Sequence, residues 1–102
     1  MISVCMATYN GSSFIKAQLE SILFQLNTND EVVISDDGSS DDTLSIIEAF
    51  NDPRIRLIEG PKIHSVAHNF EYAIRHSRGD IIFLSDQDDV WLNNKKQSCW
   101  LI

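Results

Sequence analysis

Two cysteines, four glycines and two prolines are all that 102 residues contain, and no long apolar run interrupts them. Cys5 and Cys99 are too few and too far apart for a disulfide framework or a zinc site. The scarcity of glycine and proline leaves no flexible linker, so one domain, or part of one, is the expectation. No segment approaches the ~18 apolar residues of a membrane span, and Met1–Ala7 lacks the basic flank of a signal sequence. The chain reads as soluble, in a reducing compartment. Basic residues are also scarce. Eight Lys and Arg against fifteen Asp and Glu give a formal charge of −7, which argues against nucleic acid as a partner.

What is present is an alternation of hydrophobic periods. Ile2–Ala7 reads as a strand. After the turn at Asn10–Ser13, Ile15, Leu19, Ile22, Leu23 and Leu26 recur at helical spacing. Glu31–Ser35 is a second strand, and a helix with Leu44, Ile47 and Phe50 on one face runs until Asn51-Asp52-Pro53 stops it. Arg54–Glu59 alternates like a half-buried strand near an edge. A third helix spans about Ser65 to Ser77, burying Val66, Phe70, Ala73 and Ile74, with Gly79 as a left-handed cap. Ile81–Leu84 is apolar on both faces, as a central parallel strand would be.

This order predicts an α/β fold, an open and mainly parallel sheet with helices on both faces. Ligands of such sheets sit beyond the carboxyl ends of the strands, where the strand order reverses. Thr8-Tyr9-Asn10, the Asp36-Asp37 loop and Asp86-Gln87-Asp88 each follow a strand, so all three polar clusters fall on one edge. The acids are concentrated there. Asp36, Asp37, Asp41, Asp42, Asp86, Asp88 and Asp89 supply seven of the fifteen. Asp86, Asp88 and Asp89 repel one another unless a cation neutralises them, and aspartate oxygens suit Mg²⁺ or Mn²⁺ and, through these, phosphate-bearing ligands.

The residues themselves now resemble a family. Val4-Cys5-Met6-Ala7-Thr8-Tyr9-Asn10-Gly11 resembles the opening strand and turn of family 2 glycosyltransferases. Ile34–Asp41 is similar to their D-D-G-S-x-D loop, and Leu84–Trp91 to their D-x-D metal motif in the S-D-Q-D-D-x-W form of rhamnosyl- and galactosyltransferase-like members. The resemblance covers nearly all of residues 1–98 and implies a GT-A, Rossmann-like fold, truncated here to the N-terminal nucleotide-sugar-binding part (1–102). It implies a UDP- or dTDP-linked sugar as donor and a glycan or lipid-linked saccharide as acceptor, in inverting transfer for cell-surface polysaccharide synthesis. A cytoplasmic location, in solution or at the inner face of the membrane, goes with it. Carried over by position, Tyr9 lies against the base and the Ala7–Thr8 backbone near the nucleoside. Asp37, with Asp36 beside it, bonds the uracil or its ribose. Asp86 faces ribose and metal, and Asp88 is the main protein ligand of Mg²⁺ or Mn²⁺. The chain departs from the family at Ser65 and Asn93, where glycine and proline are frequent. It also lacks the acceptor-binding segment and the carboxylate that serves as general base. That base is expected beyond Ile102, so no catalytic residue is assigned in this chain.

Plainer roles fit other residues. Asp41 and Asp42 read as helix-capping residues, Asp89 is divided between metal loop and cap, and Trp91 reads as a packing anchor. His64 and His68 form a pair without a third ligand, His76 has no companion, Cys5 fills core, and Lys95 and Lys96 form a solvated face. Three rivals remain. A sugar-nucleotidyltransferase would carry a basic glycine-rich loop after the first strand, and a phospho-acceptor signalling domain a lysine at a late strand end. The third is a degenerate nucleotide-binding or interaction module.

Overall fold

The computed structural model describes residues 1–62 and 65–86, with the backbone alone for Asp86. The expectations that fall on His64, Asp88, Asp89, Trp91, Asn93, Lys95, Lys96 and Cys99 lie outside the described residues. So does Ile102, and with it the expectation of a general base further along the sequence. Four strands alternate with three helices: β1 (Ile2–Thr8), α1 (Ile15–Gln25), β2 (Glu31–Asp36), α2 (Thr43–Ala49), β3 (Ile55–Glu59), α3 (Val66–His76) and β4 (Ile81–Asp86). The sheet order is β3-β2-β1-β4, and every neighbouring pair is parallel. The chain moves outward from β1 to β3 and then crosses back to β4. A constant crossover hand therefore requires α3 on the face opposite α1 and α2.

The packing obeys this. On one face Val4, Met6, Val32, Ile34 and Phe83 meet Ile15, Leu19 and Ile22 of α1 and Ile47 of α2. On the other, Cys5 and Val33 meet Ala73 of α3. Strand residues thus alternate between two cores with the period of the pleat. Each large side chain fully buried there contributes about 1.5–3 kcal/mol of hydrophobic stabilisation. Burial pushes the Cys5 thiol up to about 11, as suits a core filler and not a nucleophile.

Two expectations about α3 and its end are corrected. Val66 is 63% exposed and Ile74 37%, while Asn69 and Ala73 are the buried positions of α3. Asn69 already reaches the strand ends, so Val66, one turn earlier, projects past the sheet; Ile74 lies about 100° round the helix from Ala73. Gly79 is not in the left-handed region, where Gly38 is the one glycine among the described residues. Its smallness serves close approach: a Cβ there would stand 2.7 Å from the Ser3 nitrogen and 2.8 Å from the Met1 carbonyl oxygen. The helix ends instead at Ser77 in extended conformation, with its Oγ donating to the Ile74 carbonyl at 2.6 Å. Among the described residues β4 pairs with β1, and Leu84 is 36% exposed.

The amino ends of the strands are closed by a buried carboxylate. Glu31 accepts from Ser3 Oγ (2.6 Å), the Arg78 N–H (2.6 Å) and Arg56 Nη1 (2.9 Å), while the Gly79 N–H donates to Ser3 Oγ at 2.7 Å. Burial alone would raise the Glu31 carboxyl, but the bonds from Ser3, Arg78 and Arg56 together hold it below the usual glutamate range. The stabilisation it provides is therefore complete above its ordinary pKa near 4.5 and disappears as pH falls through the lowered folded-state value. We expect Glu31→Gln to cost on the order of 3 kcal/mol at pH 7 in urea unfolding. The native-minus-variant difference should shrink below pH 4.

Candidate functional site at the carboxyl rim

Because all four strands are parallel, their carboxyl ends share one rim, and the register fixes who stands beside whom. Thr8 pairs with Asp36, Asp36 with Glu59, and Ala7 with Asp86. The sheet order reverses between β1 and β4, so the switch point lies where Ala7 and Asp86 are adjacent. Asp86 and Asp36 flank β1 on its two sides, roughly 10 Å apart across two strand spacings. The structure thus brings the backbones of Ala7, Thr8, Tyr9, Asp36, Asp37 and Asp86 to one edge.

The loop after β2 is shaped by Asp36 itself. Its carboxylate accepts from Thr8 Oγ1 (2.7 Å), Ser39 Oγ (2.6 Å) and the backbone N–H groups of Gly38 (3.1 Å) and Ser39 (2.8 Å). Gly38, at φ 88°, supplies the left-handed turn that lets both N–H groups face back towards that carboxylate. Asp37 follows, 4% exposed, with its N–H donating to the Thr8 carbonyl at 2.9 Å. The Asp36 oxygens are committed to the loop, whereas Asp37 continues the β1–β2 ladder one step past the strand end.

A second set of bonds joins this loop to the β1–α1 turn. Asn10, at φ 49°, accepts from the Ser40 N–H at 2.8 Å and donates its own N–H to Ser39 Oγ at 2.9 Å. The Gly11 N–H donates to Thr43 Oγ1 at 2.9 Å and the Ser12 N–H to Asp41 at 3.2 Å. Asp41 also accepts from the Thr43 N–H at 3.0 Å and from Thr43 Oγ1. The Thr43 hydroxyl first, with these N–H groups, holds the Asp41 carboxyl down at about 2. Asp41 is therefore structural, as its position suggested; Asp42, formally the N-cap of α2, makes no side-chain cap bond. Tyr9 stands on the β1 side of this stitched pair of loops with 43% of its surface exposed.

Residues not singled out from sequence complete the rim. Asn69 of α3 is buried, accepts from Ser35 Oγ and donates to the Thr8 carbonyl at 3.5 Å. Gly60 lets the chain turn beneath it: its N–H donates to the Asp36 carbonyl at 2.7 Å, and a Cβ would meet Asn69 Oδ1, Ser35 Oγ and the Asp36 carbonyl oxygen. Ser65 caps α3 in ordinary extended backbone, so serine is accommodated there in place of glycine. His68 is exposed with Nδ1 beside Ser65 Oγ at 2.8 Å, and His76 lies against the Tyr72 carbonyl at 2.9 Å. Among the described residues no cluster of three His, Cys, Asp or Glu side chains could hold a metal ion. A resident cage is not what Mg²⁺ or Mn²⁺ requires, since one or two carboxylates plus ligand phosphates suffice. An all-oxygen rim that ends β4 in an aspartate fits that donor set.

Sequence comparison places this rim in a family. Residues 3–100 match the glycosyl transferase family 2 profile, and the chain belongs to that family. It is 34% identical over 95 residues to the Escherichia coli UDP-Glc:alpha-D-GlcNAc-diphosphoundecaprenol beta-1,3-glucosyltransferase WfgD, covering 93% of this chain and 38% of WfgD. To the dTDP-rhamnosyl transferase RfbG of Shigella flexneri it is 38% identical over 97 residues, covering 88% and 34%. The fold is similar to S. aureus TarS 1-349 (TM-score 0.85, 26% identity, 95% of this chain and 30% of that one). It is also similar to the mannosyltransferase PcManGT of Pyrobaculum calidifontis in complex with GDP-Man and Mn²⁺ (TM-score 0.80, 30% identity, 91% and 29%). These likenesses establish the GT-A-type fold and the relation to rhamnosyltransferases. The chain spans about a third of the length of these relatives.

Gly60→Ala should be destabilising by about 1–3 kcal/mol, because its Cβ must displace main chain at Asp36 and not merely a flexible side chain. Chemical denaturation of the variant checks this, with the Ser35→Ala, Asn69→Ala background expected to absorb part of the loss.

Proposed function

We propose that the chain is the donor-binding part of an inverting, metal-dependent glycosyltransferase that uses a UDP- or dTDP-linked sugar. The observation that carries this reading is the register that sets Asp86 beside Ala7 and Asp36 beside Thr8 at a sheet switch point. In this reading Tyr9 stacks on the base, a role its exposed aromatic face suits. The Asp37 carboxylate accepts the imide N–H that uracil and thymine both carry. Asp36 contributes by shaping the loop that presents Asp37, since its oxygens are already bonded. The Ala7–Thr8 backbone lies along the nucleoside.

The distribution of charge supports one side of the rim for the diphosphate. The rim towards β3 opens as a cleft lined by Asp36, Glu48 and Glu59, with Lys62 as the one cation among its described residues. Lys62 already lies 3.6 Å from Glu59. An anionic ligand is repelled from that side. The β1–β4 side, where Asp86 and the following Asp88 supply the D-x-D pair, is left for diphosphate and ion together. When bound, Mg²⁺ or Mn²⁺ supplies the Lewis acidity that neutralises the departing diphosphate. Asp88 and Asp86 hold it. The acceptor is a glycan or lipid-linked saccharide, by likeness to WfgD, whose name specifies a diphosphoundecaprenol-linked sugar. Work on such an acceptor suits a cytoplasmic domain at the inner membrane face; no helix among the described residues is long and apolar enough to cross a membrane. No group between Met1 and Ile102 is assigned as general base.

Calorimetry with UDP, dTDP and GDP, each with and without Mn²⁺, tests this. UDP or dTDP should bind with a clear Mn²⁺-dependent gain, and GDP more weakly. Asp37→Asn should weaken UDP binding about tenfold, roughly 1.4 kcal/mol, with little change in melting temperature. Asp88→Asn should remove the Mn²⁺ gain. Sugar turnover by the 102-residue chain is expected to be absent. Nucleotide binding indifferent to Mn²⁺ would favour a degenerate binding module instead.

A further inference from the structure

Gln18 is a polar residue in a position suited to an apolar one. It lies on the buried face of α1 with Ile15, Leu19 and Ile22 and is itself 0% exposed. Its Nε2 donates to Ser85 Oγ at 2.8 Å, a wholly buried bond between α1 and β4. Its Oε1 is buried as well and accepts no hydrogen bond among the described residues. An amide satisfied on one side only is disfavoured in an interior, and methionine or leucine would fill the volume without that penalty. What the amide alone provides is a directional tie to Ser85.

Ser85 immediately precedes Asp86. The ladder to β1 runs to the end of β4, with Met6 beside Ser85 and Ala7 beside Asp86. The last residues of a strand are prone to open locally. The Gln18 bond adds fixation from the helix layer, one residue below the rim. Mg²⁺ and Mn²⁺ tolerate little deviation in ligand geometry, and groups that orient metal-binding side chains commonly govern affinity by 10–100-fold.

We propose that Gln18 is a positioning residue, holding the end of β4 through Ser85 so that Asp86 stands where a divalent cation can be shared with the nucleotide. The inference rests on the metal–nucleotide reading above. Its test is Mn²⁺ affinity in the presence of UDP, followed by calorimetry and by the loss of the free-ion paramagnetic resonance signal. Gln18→Met, Ser85→Ala and the double variant are compared with the native chain, alongside metal-free UDP affinity and thermal unfolding. Gln18→Met should melt at or above the native temperature, bind UDP alone as the native chain does, and bind Mn²⁺ about tenfold or more weakly. Ser85→Ala should show the same Mn²⁺ loss, and the double variant no more than either single one.

Native Mn²⁺ affinity in Gln18→Met overturns the proposal. So does an equal loss of metal-free UDP binding, which would mark general disruption. If Gln18→Met does not fold, Ser85→Ala decides by the same criterion. A native chain that binds UDP without any Mn²⁺ gain removes the metal site itself, a failure of the underlying reading that is separable from failure at Gln18.

Discussion

The rim is organised by the Asp36 carboxylate. It collects four donors, all of them neutral: the Thr8 hydroxyl, the Ser39 hydroxyl and the N–H groups of Gly38 and Ser39. One of these comes from the neighbouring strand and three from the loop that follows. A single side chain therefore fixes both the lateral fit of β1 to β2 and the path by which the chain leaves β2. The Asn10, Gly11 and Ser12 bonds to Ser39, Ser40, Thr43 and Asp41 extend the same fit into the next loop. Charge-assisted acceptance of this kind is among the stronger hydrogen bonding available to a loop.

The two ends of the sheet treat buried acid differently. At the amino end Glu31 has a guanidinium partner in Arg56, and its charge is neutralised within the fold. At the carboxyl end Asp36, Asp37 and Glu59 gather with Lys62 as the nearby cation, so the rim keeps a negative excess. The two ends of the sheet thus differ in charge, and the formal charge of −7 is felt most at the carboxyl rim.

Much of this was legible in the sequence. The alternation of periods located all seven elements of the described residues, and the turn-forming run Asp36–Ser40 marked the loop where it stands. Asp41 was read as structural and is so. The omissions share a cause. Gln18 and Asn69 occupy helix positions that an apolar stripe would skip as polar, yet both are buried because a polar partner waits across the interface. Gly60 and Gly79 serve close approach between segments far apart in sequence, which local turn signals do not record. Val66 and Ile74 satisfy the helical period but lie beyond or beside the sheet that would cover them.

Met1 sits at the opposite end of β1 from Thr8, its carbonyl accepting from Asp80 and Ile81 and its ammonium 3.4 Å from an exposed Asp80 carboxylate. Seven residues of extended strand separate the two ends, roughly 23 Å. Tethering the polypeptide to a sensor surface through its amino terminus thus turns the carboxyl rim outward into the flow, at the sacrifice of one solvent-exposed ion pair.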